Sequence, residues 1–133
     1  MFVDASAIVA ILTLEPEAGA LADALEAARE PITSAIAIFE AVAGICRKRG
    51  ARVADAQDDV RAFLSLAGVK IVAISGREVE TALAAFDRFG KGRGHPAQLN
   101  MGDCFAYALA RNRDVPLLFK GDDFGRTDIA IGG

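Results

Sequence analysis

The chain predicts an α/β sandwich around a central, mainly parallel sheet flanked by helices. Two observations predict it. Short apolar or β-branched runs alternate with helix-length segments along the whole chain, and the helical segments open on cap residues and stop on glycines. At 133 residues there is enough chain for one domain, spanning 1–133, with a hydrophobic core of its own. Aromatic residues are 7% and Trp is absent, so Ala, Val, Ile and Leu must fill most of that core.

Phe2-Val3 opens the chain as a short strand ending at Asp4. Ser6 to Leu12 reads as a helix with Asp4 or Ser6 near its N-terminus. Pro16 precedes a second helix over Ala18–Arg29, rich in good helix formers. Pro31 to Ser34 is a strand, and Ser34 caps a helix from Ala35 to Arg49 that Gly50 stops. Ala51 to Leu66 forms the next helix, closed by Gly68. Val69 to Ile74 is a β-branched strand, after which Ser75 caps a helix over Arg77–Phe89 ending at Gly90. Residues 91–98 form a basic, glycine-rich loop. Gly102-Asp103 opens a helix to Arg113, Pro116–Phe119 is a strand, and residues 121–125 turn away from it. Ile129 to Ile131 is a candidate edge strand.

Composition excludes several classes. Hydrophobic residues are 53% and charged residues 25%, a globular balance rather than a disordered one. A net charge of −3 argues against a uniformly basic nucleic-acid-binding surface, but not against a local basic patch. No apolar run reaches the length of a membrane span, and Met1-Phe2-Val3-Asp4 lacks the basic start of a signal peptide. Cys46 and Cys104 make neither a disulfide framework nor a metal-ligand spacing. A reduced, cytoplasmic protein is the expectation.

In parallel α/β sheets the functional crevice lies beyond the carboxyl ends of the strands. That rule selects Asp4, after the first strand, and Asp122 and Asp123, after the last internal one. Their structural alternatives are a helix N-cap and a turn. Glu40 stands in an otherwise apolar helix, with Ile36, Ala37, Ala43 and Gly44 three and four residues away. Such a carboxylate is protonated, paired or metal-bound when buried, or else lies on a narrow solvent stripe shared with Arg47. Asp103 stands in the first turn of an apolar helix, where the dipole favours an acid for structural reasons alone. Several carboxylates in one crevice repel unless a cation is present. All-oxygen donors without His or Cys suit Mg²⁺ or Mn²⁺, whose chemistry is phosphoryl transfer or phosphodiester hydrolysis.

Four segments carry a resemblance. They are Phe2-Val3-Asp4-Ala5-Ser6-Ala7, Phe39-Glu40-Ala41, residues 95–110 (HPAQLNMGDCFAYALA) and residues 120–128 (KGDDFGRTD). In them the chain resembles the PIN-domain ribonucleases, specifically the VapC-type toxins of toxin–antitoxin pairs. The segments occur in the family's order and span nearly the whole chain. The resemblance implies a PIN-like α/β/α sandwich and an acidic Mg²⁺ site. The family's acids fall on Asp4, Glu40, Asp103 and, for the fourth, Asp122, with Asp4, Asp103 and Asp122 as metal ligands. Asp123 is a near alternative for the fourth place, and Asp128 is a further ligand or ligand-supporting acid. Ser6 fits the family's Asp-x-Ser start and would hydrogen-bond a ligand carboxylate or a water. The resemblance also implies an endoribonuclease that cuts a structured RNA and stops translation, a small VapB-type antitoxin as partner, and a homodimer.

The expected chemistry is attack of a metal-activated water on an RNA phosphodiester. Lys91, Arg93, Lys120 and Arg126 are the candidate phosphate contacts, and His95 is read as a structural loop residue. Arg47, Lys48, Arg49 and Arg52 are read as a helix end compensating its dipole, and Cys104 as a small buried side chain. Phe86, Phe89, Phe105 and Tyr107 read as core or interface residues. Two other classes compete. A Mg²⁺-dependent phosphatase needs Asp-x-Asp where this chain has Asp4-Ala5-Ser6, and it has no use for Glu40. A non-catalytic interaction module would tolerate loss of Asp4.

Overall fold

The computed structural model describes residues 1–132. Four strands form one parallel sheet: β1 (Phe2–Val3), β2 (Ile32–Ser34), β3 (Lys70–Val72) and β4 (Leu117–Leu118), in the order β3-β2-β1-β4. Phe2 stands opposite Ile32 on one side and Leu117 on the other, and Ile32 opposite Lys70. Six helices connect and cover the strands: α1 (Ala5–Leu12), α2 (Ala18–Ala27), α3 (Ala35–Arg49), α4 (Val53–Ala67), α5 (Gly76–Phe89) and α6 (Met101–Asn112).

Strand alternation divides the core. Phe2 and Leu117 point into a cluster with Ala82, Phe89, Leu99 and Leu109, beneath α5 and α6. Val3 and Leu118 point the other way, among Ile8, Leu21, Ile45 and Val60 of α1 to α4. These four strand residues are essentially fully buried. Each such side chain removed from water contributes about 1.5–3 kcal/mol. The small residues that dominate the composition, such as Ala41, Ala56, Ala85 and Ala108, let the helices lie close to this thin sheet.

Local chemistry sets the element ends. Ser34 accepts from the Ala37 N–H at 3.2 Å and starts α3, which Gly50 ends at φ 62°. Ser75 and Glu78 form a reciprocal cap at α5, and the Glu78 carboxylate also accepts from Asn112 Nδ2 at 3.1 Å, stapling α5 to the end of α6. Two expected boundaries move. The helix read from Gly102 starts at Met101 with Asn100 as its cap. The strand read over Val69–Ile74 shrinks to Lys70–Val72, whose first two side chains are exposed at the sheet edge. The strand expected at Ile129–Ile131 is a single bridge from Ile131 to Leu117, because β4 offers only two residues to pair with.

Candidate functional site: an acidic cavity at the strand ends

Asp4 leaves β1 at the carboxyl edge of the sheet and caps α1, so its two readings coincide in one residue. Its Oδ2 accepts from the Ser6 N–H at 3.0 Å and from Ser6 Oγ at 2.6 Å. Ser6 Oγ in turn accepts from the Lys120 N–H at 2.9 Å, just beyond β4. One hydroxyl therefore ties together the ends of two neighbouring strands. Asp4 is only 4% exposed, and burial raises its pKa against the lowering effect of the Ser6 hydrogen bonds.

Glu40 projects from α3, half-buried. Burial raises its pKa, the charge of Asp4 raises it further, and Arg47, two turns along the helix, opposes both. Asp103 sits at the third position of α6. Its Oδ2 accepts from the Asn100 N–H at 3.0 Å, while Asn100 Oδ1 accepts from the Asp103 N–H at 2.8 Å. Burial, with the charges of Asp4, Asp123 and Glu40, pushes Asp103 up to about 7 despite the Asn100 bond. Gly102 is required by this packing, because a Cβ there would overlap the Glu40 carboxylate.

These side chains line a cavity of about 340 Å³. Asp4, Ser6, Glu40, Asp103 and Lys120 meet there, as do three residues the sequence reading did not place at a site: Glu15, Arg47 and Asn100. Arg47, read as a dipole-compensating helix end, faces the acids instead, seven residues from Glu40 and on the same face of α3. Asn100 was legible as an Asn followed three residues later by Asp, a capping-box spacing. Nothing local marks Glu15.

The remaining candidates separate. Asp122 and Asp123 are exposed outside the cavity lining, with Asp123 the member of the pair whose charge bears on Asp103. Asp128, expected as a ligand or its support, is engaged elsewhere. Tyr107 Oη donates to its Oδ1 at 2.5 Å, and Arg88 and Arg111 lie 3.1 and 3.6 Å from its Oδ2. Tyr107 is thereby an anchor for this segment, with its phenol pushed up to about 12 by burial and this bond. Lys91 and Arg93 lie outside the acidic cavity. Lys91 lines an apolar groove between α5 and α6, and Arg93 pairs with Asp87 at 3.1 Å over the Phe86 ring. Arg126 is exposed on the short 3₁₀ turn Phe124–Arg126. His95 accepts the Ala97 N–H at 3.0 Å and meets the Phe89 ring edge-on, a structural loop residue. Burial pushes the Cys104 thiol up to about 11, which makes it a poor ligand and nucleophile.

The oxygen donors around the cavity are carboxylates, the Asn100 amide and the Ser6 hydroxyl. Among the described residues, no three His, Cys, Asp or Glu side chains are grouped closely enough to hold one ion between them. Oxygen donors of this kind suit a hard cation that keeps several of its waters. The carboxyls that raise one another's pKa are also the groups whose charge a hard cation would neutralise.

Comparison with known proteins identifies the family of the fold. The PIN domain family matches residues 1–130. Ribonuclease VapC28 of Mycobacterium tuberculosis is 42% identical over 129 residues, covering 97% of this chain and 95% of that protein. A Ribonuclease VapC of Mycolicibacterium smegmatis is 42% identical over 131 residues, covering 98% of each. A VapC ribonuclease of Rhizobium meliloti is 39% identical over 139 residues, covering 96% of this chain and 98% of its own. A solved toxin–antitoxin complex from Klebsiella pneumoniae shares the fold, with a TM-score of 0.65 at 21% identity over 92% of this chain and 88% of that one. The chain belongs to the PIN domain family and, within it, to the VapC group.

Proposed function

We propose that this protein is a Mg²⁺-dependent endoribonuclease toxin of a type II toxin–antitoxin system. In this reading it hydrolyses phosphodiester bonds in a structured RNA, inhibits translation in the cytoplasm and is neutralised by a small VapB-type antitoxin. The observation that carries it is the meeting of Asp4, Glu40 and Asp103, from β1, α3 and α6, in one cavity at the carboxyl edge of a parallel sheet. Relatives about 40% identical over nearly the whole chain are named VapC ribonucleases.

Asp4 and Asp103 would hold the cation directly and an acid of the Asp122–Asp123 turn would reach it through water, with Mn²⁺ as a substitute for Mg²⁺. When bound, the cation supplies Lewis acidity and charge neutralisation at the phosphodiester. The chain's own residues do the rest. Ser6 fixes the Asp4 carboxylate by two hydrogen bonds. Asn100 fixes Asp103 through a reciprocal cap. Burial and the charge of Asp4 raise the pKa of Glu40 from its ordinary value, which favours it as a proton carrier.

The partners in this reading have surface to occupy. Val79, Leu83, Phe86 and Met101 are exposed together on α5 and α6, which supports a homodimer. Phe39 and Val53 are exposed along a groove between α3 and α4, which supports docking of an apolar antitoxin segment. No helix among the described residues is long and apolar enough to cross a membrane.

The test is incubation of the purified, antitoxin-free chain with total RNA in Mg²⁺, Mn²⁺ or EDTA, beside the Asp4→Asn variant, with new ends mapped. Discrete fragments that require both metal and Asp4 are expected. Intact RNA in every lane with folded protein, or cleavage that survives Asp4→Asn, overturns the reading.

A further inference from the structure

Two cationic side chains, Arg47 and Lys120, line the acidic cavity, and a third, Lys48, reaches its wall through Glu15. Arg47 and Lys48 come from the last turn of α3, and Lys120 from the residue pair following β4. What gathers the lysines is Glu15. Its Oε1 takes Lys48, and its Oε2 lies 3.3 Å from Lys120 Nζ, which is also 3.8 Å from Glu17 Oε2.

The burial is unequal. The Glu15 side chain is 16% exposed, whereas Lys48 and Lys120 keep 38% and 40%. The acid is thus covered by the lysines, and the ammonium groups remain open to solvent. Each ammonium has three donors, so pairing with Glu15 leaves others to offer. Glu15 and Glu17 together match the two lysine charges, and Arg47 adds a third positive charge on the same wall.

Helix α1 closes on Leu14 at φ 54°, with the Leu14 N–H donating to Ile11 O at 3.3 Å and the Glu15 N–H to Ala10 O at 2.9 Å. The same left-handed closure ends α6 at Asp114, and at α1 it places Glu15 directly after the turn.

The rim also meets an electrostatic need. An RNA strand approaching Asp4, Glu40 and Asp103 is repelled by them, and its neighbouring phosphates require fixed positive charge close by. The basic loop at 91–93 does not supply it at the cavity wall, whereas Arg47 and Lys120 are part of that wall.

We propose that Lys48 and Lys120, tethered by Glu15 and flanked by Arg47, form the seat for an RNA phosphate adjacent to the one that is cut, with Glu15 as its positioning residue. The proposal rests on the ribonuclease reading for its biological role; the lysine seat is measured by binding, and the positioning role of Glu15 by KM.

The experiment uses the full chain in EDTA with a fluorescent RNA hairpin of about 20 nucleotides, titrated from about 50 to 300 mM KCl. Lys48→Ala and Lys120→Ala are each expected to weaken binding several-fold at low salt. Each should also make the slope of log Kd against log salt shallower by about one. Lys→Arg at either position restores the slope, and Lys70→Ala, on the exposed edge strand, leaves it at the wild-type value. Glu15→Gln keeps both cations and therefore the slope. It is expected to raise KM for metal-dependent cleavage about 3-fold or more, with a smaller change in kcat, because the cations lose their common anchor. Thermal melts of each variant confirm that the fold persists. Wild-type slopes in Lys48→Ala and Lys120→Ala, an unchanged KM in Glu15→Gln, or no binding of the hairpin by the wild type overturns the seat. Loss of Asp4-dependent cleavage in the wild type overturns the ribonuclease reading instead, and the binding slopes are read independently of it.

Discussion

The carboxylate of Glu40 lies in the space that a side chain at Gly102 would occupy. The contact joins α3 to the first turn of α6, and it makes the smallest residue a requirement of the acidic cavity. Gly102→Ala improves helix propensity by about 1 kcal/mol but forces the flexible end of Glu40 aside. The expected outcome is a melting temperature close to wild type with RNA cleavage reduced about 10-fold or more. Loss of cleavage together with unfolding, read by circular dichroism, contradicts this account.

Ser6 is the second joint. Its hydroxyl donates to Asp4 Oδ2 at 2.6 Å and accepts the Lys120 N–H at 2.9 Å. Ser6→Ala strands both partners and is expected to cost about 1–3 kcal/mol in a urea melt. Cleavage is expected to fall further than that loss of folded protein explains, because Asp4 loses one of its two Ser6 bonds.

Asp103 gives the protein a pH signature. Its folded pKa of about 7 lies above the 3.8 of a free aspartate, so at pH values between them the folded state holds a proton the unfolded chain has already lost. The stability this contributes is complete below the unfolded pKa and disappears as pH rises through about 7. In EDTA the wild type is expected to lose about 1–3 kcal/mol between pH 4 and 8 from this group. Asp103→Asn should flatten that part of the profile and melt higher than wild type at pH 8. Equal slopes in the two proteins refute the assignment.

Metal linkage follows from the same carboxyls. Addition of Mg²⁺ or Mn²⁺ at pH 8 is expected to raise the wild-type melting temperature by several degrees, since a cation that binds only the folded chain stabilises it by mass action. Asp4→Asn and Asp103→Asn are expected to lose most of that shift. A shift that persists undiminished in both places the cation elsewhere.

Asp128 tests the opposite case. Tyr107, Arg88 and Arg111 hold it, so its work is to pin the segment after the 3₁₀ turn against α5 and α6. Asp128→Ala is expected to cost about 1–2 kcal/mol while leaving cleavage per folded molecule within about 2-fold. A selective loss of cleavage restores Asp128 to the metal site.

Elements were legible in the sequence where their cause is local. Ser34 and Gly50 bound α3, Ser75 starts α5, and Phe2-Val3 with Leu117-Leu118 read as strands because their apolar runs are short and sharply ended. The acids were legible because each breaks a local pattern: Asp4 ends a strand, Glu40 interrupts an apolar helix and Asp103 opens one. What folding alone decided is which of them meet and what holds them. The Ser6–Lys120 bond spans 114 residues, the Glu40–Gly102 contact joins two helices, and Glu15 meets Lys120 from the opposite end of the chain. Asp128, equally acidic and equally close to the motif, is drawn to Tyr107 and two arginines. Local propensity records the conformation of a segment. The partner of a charged side chain is set by the distances left once sheet and helices have packed, and those distances are a property of the folded chain.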